Sequence, residues 1–244
     1  MNKKGFTSKS LLFSLFILNT LMPNAQVTIK ANDKLIRYDL IKSSHYFQKV
    51  STYDSLGKIK YEFVNENIIK VDSANGKIIF SRTRQVPYGR ILIDSSVTSH
   101  LGPESYMMTS SPMSKRLEVK FSKETVTIYA LINGIISNLK TKMVDGYFDD
   151  NIVEDIIGFI PFKKGIKYHL DSYRYESKDG INPYDIEYVF DDIIQYPEGN
   201  TINCSVLHFV NGYSDAYVWI DKATHTNIKE VIHSKNAMAI VSSL

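Results

Sequence analysis

Cysteine is nearly absent: the chain of 244 residues has one, Cys204. That excludes an internal disulfide and a zinc site built from paired cysteines. Any fold must therefore rest on its core rather than on staples. Cys204 lies in the apolar run TINCSVLHFV (201–210), where a buried, inert thiol is the expected state. Also missing are the P-loop, G-x-G-x-x-G and G-x-S-x-G sequences, so the sequence offers no familiar phosphate cradle or nucleophile elbow.

Long hydrophobic runs are equally scarce. LLFSLFIL (11–18) is the clearest, and it is shorter than the roughly 20 residues a spanning helix needs. It follows Lys3, Lys4 and Lys9 and precedes Pro23-Asn24-Ala25, the arrangement of a secretory signal peptide over 1–25 cleaved before Gln26. No cysteine stands near that point, so the expected product is periplasmic or secreted, without a lipid anchor or a transmembrane anchor. The whole chain carries a formal net charge of +3. The three lysines of the signal account for that surplus, and the mature chain is close to neutral. A nucleic-acid partner, which calls for a basic patch or stripe, is not indicated.

Alternation of period two fills the rest. LIRYDLIK (35–42), KIKYEFV (58–64), RILIDSSV (90–97), RLEVKF (116–121) and TVTIYALI (125–132) read as strands. Asn75-Gly76 and Asn133-Gly134 supply tight hairpin turns, the second leading into 135–144. The pattern breaks over 99–114, where Gly102-Pro103 and Pro112 suggest an irregular crossover. Strands resume at 165–176, 184–190, 201–210, 216–221 and 228–235, with AMAIVSSL as a final edge strand. Roughly 220 mature residues without a linker or repeat suit one β-rich domain over 26–244. The expected architecture is mainly β, a curved antiparallel sheet (half-barrel or open barrel) with a short helix or lid in mid-chain.

That lid is DGYFDDNIVEDIIGFIPFKKG (145–165), the one mature segment that reads as helical. Asp149, Asp150, Glu154 and Asp155 resemble a metal cluster, but they lack the calcium-loop pattern. The better reading is that Asp149 or Asp150 caps the helix while the others suit its positive end. ILIDSSV resembles the Asp-Ser-Gly signature of retroviral-type aspartic proteases, but Ser96 replaces the glycine and Asp94 is expected to be an exposed strand residue. His225 and His233 are expected to decorate a turn and a strand. No catalytic residue, metal site or cofactor is assigned.

AYVWIDKATHTNIKEV (216–231), together with Gly146-Tyr147-Phe148-Asp149 and Phe159-Ile160-Pro161-Phe162 ahead of Gly165, resembles DUF3108-like bacterial envelope proteins over about residues 30–235. That group is more distantly similar to LolA/LppX-type lipoprotein carriers, half-barrels whose concave apolar face lies under a lid. The resemblance implies a non-enzymatic envelope protein binding or carrying a lipophilic small molecule. Ile156, Ile157, Phe159, Ile160 and Phe162 are the candidate lid or lining residues. Trp219 is a further candidate, weighed against a role as a core anchor. The alternatives are a structural or assembly factor that contacts an envelope protein and, further off, an unrecognised hydrolase.

Overall fold

The computed structural model describes residues 26–112, 114–142, 146–175, 180–234 and 237–244. The expected signal segment and Met143 lie outside them. A single open sheet of sixteen strands dominates. After a short β1 (Gln26–Ile29), eight strands form an up-and-down meander: β2 (Ser44–Tyr53), β3 (Ile59–Asp72), β4 (Lys77–Val86), β5 (Arg90–Ser99), β6 (Gly102–Ser111), β7 (Lys115–Phe121), β8 (Thr125–Ile132) and β9 (Ile135–Lys142). After β10 (Phe148–Asp149) and the lid comes a second meander. It comprises β11 (Lys167–Tyr173), β12 (Ile181–Gln195), β13 (Thr201–Asn211), β14 (Asp215–Asp221), β15 (Asn227–Ser234) and β16 (Ala237–Ser243).

The two meanders join through an antiparallel pairing of β16 with β2, such as Val241 opposite Val50. AMAIVSSL is therefore an interior strand, not the edge expected from its position at the end of the chain. One true edge is β9. The other side ends in β1 and β10, both of which pair in parallel with β11. The sheet curls so that its β10–β11 side packs against β6 and β7. Phe121 meets Tyr173 edge-on at 5.6 Å, and Tyr106 stacks on Tyr175 at 5.8 Å. Side chains rather than a hydrogen-bond ladder thus bridge this contact.

Two expectations need correcting. Residues 35–42 are not a strand but an irregular segment with a 3-10 turn at Tyr38–Leu40. Its amides bond locally or to the lid, as where Arg37 N donates to Phe159 O at 2.9 Å, while Ile36 and Ile41 are buried. Residues 99–114 are not a crossover, because β6 runs through them and pairs with both β5 and β7. A bulge at Val97/Thr98 absorbs the Gly102-Pro103 break, and inward Tyr106 and Met108 supply the burial that the polar composition hides.

Candidate functional site

The lid forms because its ends are punctuated and its middle is apolar. Asp149 is the N-cap: its carboxylate accepts from Asn151 N at 3.0 Å and from Asn151 Nδ2 at 2.8 Å. A 3-10 turn (Asp150–Ile152), one turn of helix α1 (Val153–Ile156) and a second 3-10 turn (Ile157–Phe159) follow, and the chain is extended again at Ile160. Phe148, Ile152, Val153, Ile156, Ile157 and Phe159 are all buried in the main core. Each such side chain is worth about 1.5–3 kcal/mol of burial. Lifting the segment whole would cost on the order of 10 kcal/mol, a population below about one in a million. The lid is therefore a fixed part of the core, and any access must lie at its margins.

Two carboxylates tether it to opposite halves of the sheet. Asp150 accepts from Ser172 Oγ (2.5 Å), Asn182 Nδ2 (2.7 Å), Tyr184 OH (3.1 Å) and Arg174 Nη1 (3.3 Å), all from the second meander or its edge. Asp155 accepts from Tyr46 OH (2.9 Å) on β2 and Arg82 Nη2 (3.0 Å) on β4. Arg82 Nε continues the network to Asn67 Oδ1 at 2.9 Å. For Arg82, burial, which disfavours charge, is outweighed by the neighbouring Asp155 and Asp94 carboxylates, so its pKa is raised. The expectation that the acidic residues cap and decorate the helix holds for Asp149 only. Asp150 and Asp155 face inward as anchors, because the sheet beneath supplies the donors.

An apolar cavity of about 190 Å³ opens beside the far end of the lid. Ile157, Ile160 and Phe162 line it from the lid, and Leu207, Ile220 and Tyr188 line it from the sheet. Ile156 and Phe159 point instead into filled core. Trp219 lies on the opposite face of β14 from buried Val218 and Ile220, in register with Val206. Its Nε1 donates to Asp192 Oδ2 at 2.7 Å, and Lys229 Nζ sits 4.6 Å from its ring centroid. The structure thus gathers three of the six candidates around one cavity. The cavity margin is exposed at Pro161 and half-exposed at Phe162, which gives an entrance that the lid need not leave.

Gly158 fixes where the lid lies. A Cβ at this position would stand 2.0 Å from His225 O, and Gly158 O accepts from His225 Nδ1–H at 3.1 Å. His225 itself has φ 62°, so the turn it occupies meets the lid backbone to backbone. The sequence placed His225 on a turn, as found. It did not reveal this contact, which depends on a glycine inside an otherwise apolar run.

Under the lid the interior turns acidic. Asp149 Oδ2 and Glu230 Oε1 are buried and accept no hydrogen bond among the described residues. Burial, opposed in part by bonds from Asn151 and Ser96, pushes the Asp149 carboxyl up to about 6. Burial and then the Glu154 carboxylate push Glu230 well above the usual range. Glu154 is raised chiefly by burial, against the pull of Arg82. Each folded pKa lies above its unfolded value, so the stability these groups contribute is complete at low pH and fades as pH rises through the folded pKa. For Asp149 the gap from 3.8 to about 6 is worth about 3 kcal/mol. Wild type is expected to melt at a higher temperature at pH 5 than at pH 7.5. Asp149→Asn, which retains a capping oxygen, is expected to flatten that slope and raise Tm at pH 7.5 by roughly 6–12 °C. Scanning calorimetry of both proteins over pH 4.5–8 checks this; parallel profiles would contradict it.

Asp94 requires a correction too. It is buried, not exposed, and pairs with Arg84 Nη2 at 2.6 Å. The overlooked signal was on β4: Arg82 and Arg84 continue the inward parity of Ile78 and Phe80, and inward arginines demand inward acids. Cys204 is fully buried as expected, and burial pushes its thiol up to about 11. Among the described residues no group of three or more His, Cys, Asp or Glu is placed to hold a metal ion. Nor is any helix there long and apolar enough to cross a membrane.

Comparison with known proteins agrees with this architecture. A family model described as a protein of unknown function (DUF3108) matches residues 57–239, well over half the chain. The chain belongs to the DUF3108 family. Among solved structures it is similar to a beta-barrel-like protein of domain of unknown function DUF1849 from Brucella abortus. The TM-score is 0.54 at 6% identity, over 86% of this chain and 97% of that one, which is a likeness of fold. The hypothetical lipoprotein YmcC from Escherichia coli aligns over 99% of this chain and 98% of its own at 8% identity, with a TM-score of 0.30. A DUF1329 family protein from Desulfovibrio piger aligns over 84% and 86% at 9% identity, with a TM-score of 0.28. No curated protein matches the sequence.

Proposed function

We propose that this DUF3108 protein is a non-enzymatic binding protein of the cell envelope. In this reading the cavity beside the lid accepts an apolar group of a lipophilic molecule. The observation that carries the reading is the cavity itself: about 190 Å³, bounded by Ile157, Ile160, Phe162, Leu207 and Ile220, with Lys222 and His225 also in its lining. An apolar void of about 150 Å³ is enough to take up benzene. Pockets for whole drug-sized ligands run to about 300–1,000 Å³. The group held is therefore an aromatic ring or the end of an alkyl chain, with the rest of the molecule outside. Saturation of Asp150 and Asp155 by donors suits anchors rather than general bases, and Glu230 lines neither this cavity nor the polar one described below.

Native mass spectrometry of the protein purified from bacterial membranes and periplasm, followed by organic extraction, tests the reading. A stoichiometric lipophile released into the organic phase is the expected result. An empty extract, with no uptake of added alkyl or aromatic ligands, would sink it. One observation favours a second reading, contact with an envelope protein. The edge strand β9 is exposed along most of its length, including Ile135, Ile136 and Leu139, and among the described residues no strand pairs with its outer side. A partner strand could add there. Under that reading no lipophile is recovered, and amide exchange slows along β9 when envelope extract is added.

A further inference from the structure

We infer that a second, polar cavity at the Asp150 end of the lid binds a small oxyanion, a phosphate or carboxylate group, through the guanidiniums of Arg82 and Arg84. This cavity measures about 210 Å³, and both arginines, Arg174, Asp150, Glu154 and Tyr184 are among its lining. It is separate from the apolar cavity, and the inference does not rest on that one.

The argument is one of unspent donors. A guanidinium offers five N–H groups and no acceptor. Arg82 uses Nε on Asn67 and Nη2 on Asp155, and Arg84 uses Nη2 on Asp94. Arg84 Nε is buried and bonds no acceptor among the described residues. Arg174, engaged with Asp150 through Nη1 and with the Tyr213 ring at 4.0 Å, adds positive charge to the lining and is not counted among the free donors. Asp150 already takes four donors. Burial raises the Glu154 carboxyl against the pull of Arg82, which weakens it as a competing charge. The lining is thus richer in donors than in acceptors.

Charge narrows the ligand further. Asp94, Asp150 and Asp155 each pair with one guanidinium, at 2.6 to 3.3 Å, which orients the three groups. A cation would face three arginines. A small oxyanion, bonded by planar forks, fits the donors that these pairs leave over. The shared chemistry is that of free phosphate, a carboxylate or the head group of an acidic lipid.

Isothermal titration calorimetry of the full-length purified protein separates these. The probes are inorganic phosphate and dihexanoyl phosphatidic acid, at constant ionic strength set with chloride. Saturable binding is expected in wild type. Arg84→Gln/Asp94→Asn, which removes a guanidinium together with its own counter-charge, is expected to bind both probes at least tenfold more weakly. Arg84→Lys keeps the charge and the Asp94 pair but loses the Nε donor and the fork; it too should lose about tenfold, and it serves if the double variant does not fold. Ser205→Phe, which fills the apolar cavity, should leave phosphate affinity within twofold. Phosphatidic acid binding at least tenfold tighter than phosphate would identify a lipid head group as the ligand. Equal affinities would identify a free oxyanion. Absence of saturable heat with both probes, or full affinity in the Arg84 variants, would overturn the inference.

Discussion

Gly158→Ala is expected to destabilise the protein by about 3 kcal/mol or more. The added Cβ would stand 2.0 Å from His225 O, 2.9 Å from His225 C and 3.0 Å from Ile220 Cγ2. The first two are backbone atoms that cannot rotate aside. Overpacking in cores typically costs about 1–3 kcal/mol, and the higher end applies where the obstacle is main chain. Relief would require the lid or the 221–226 turn to shift, which breaks the bond from His225 Nδ1 to Gly158 O and disturbs Ile157 at the apolar cavity. A drop in Tm of roughly 6–12 °C should result. Gly165→Ala is the natural control: its φ is +81°, but nothing lies within 4 Å of the added carbon, so only the backbone term of about 1–2 kcal/mol applies. Urea denaturation of both variants checks the difference. Equal losses would mean that the lid does not sit against the His225 turn.

The second large effect concerns the lid's tether to the first meander. Arg82 and Asp155 are 15% and 11% exposed at the side chain, and their contact is 3.0 Å. Removing one partner of a buried pair leaves a charge with no counter-ion and costs about 3–5 kcal/mol. Arg82→Met is expected to show a loss of that size, with Asn67 also losing its donor. Arg82→Met/Asp155→Asn should recover a large part of it, since no buried charge then remains. The coupling energy from the double-mutant cycle is expected to exceed about 1 kcal/mol. Additive losses would mean that the ion pair does not hold the lid.

Much of the sheet could be read from alternation. The hairpins turned by Asn75-Gly76 and Asn133-Gly134 became β3–β4 and β8–β9, because turn chemistry and inward apolar residues agree there. The failures share a cause. β2 went unread because its inward face carries Gln48 between Tyr46 and Val50, and β6 because Gly102-Pro103 opens it. In both strands tertiary burial overrides a local pattern that favours something else. The lid's position in mid-chain and its capping Asp149 were apparent, but its partners were not. Asp150 is served by Ser172, Arg174, Asn182 and Tyr184, which are 22 to 34 residues away. Asp155 is served by Tyr46 and Arg82, 109 and 73 residues away. Nothing in local spacing encodes such distant contacts. The apolar run 156–162 held a similar ambiguity: helix residues that fill a core and those that line a void have the same composition. Only packing separates Ile156 and Phe159 from Ile157, Ile160 and Phe162.

The most direct measurement is a fluorescence titration of wild type and Ser205→Phe with an environment-sensitive apolar probe. Ser205 lines the apolar cavity and is only partly buried, so a phenyl ring there occupies the void without displacing the core. Saturable enhancement in wild type is expected, with affinity at least tenfold lower in Ser205→Phe and Tm unchanged within about 4 °C, the equivalent of about 1 kcal/mol. Equal probe binding by the two proteins, or none by either, would contradict a binding function for the cavity beside the lid.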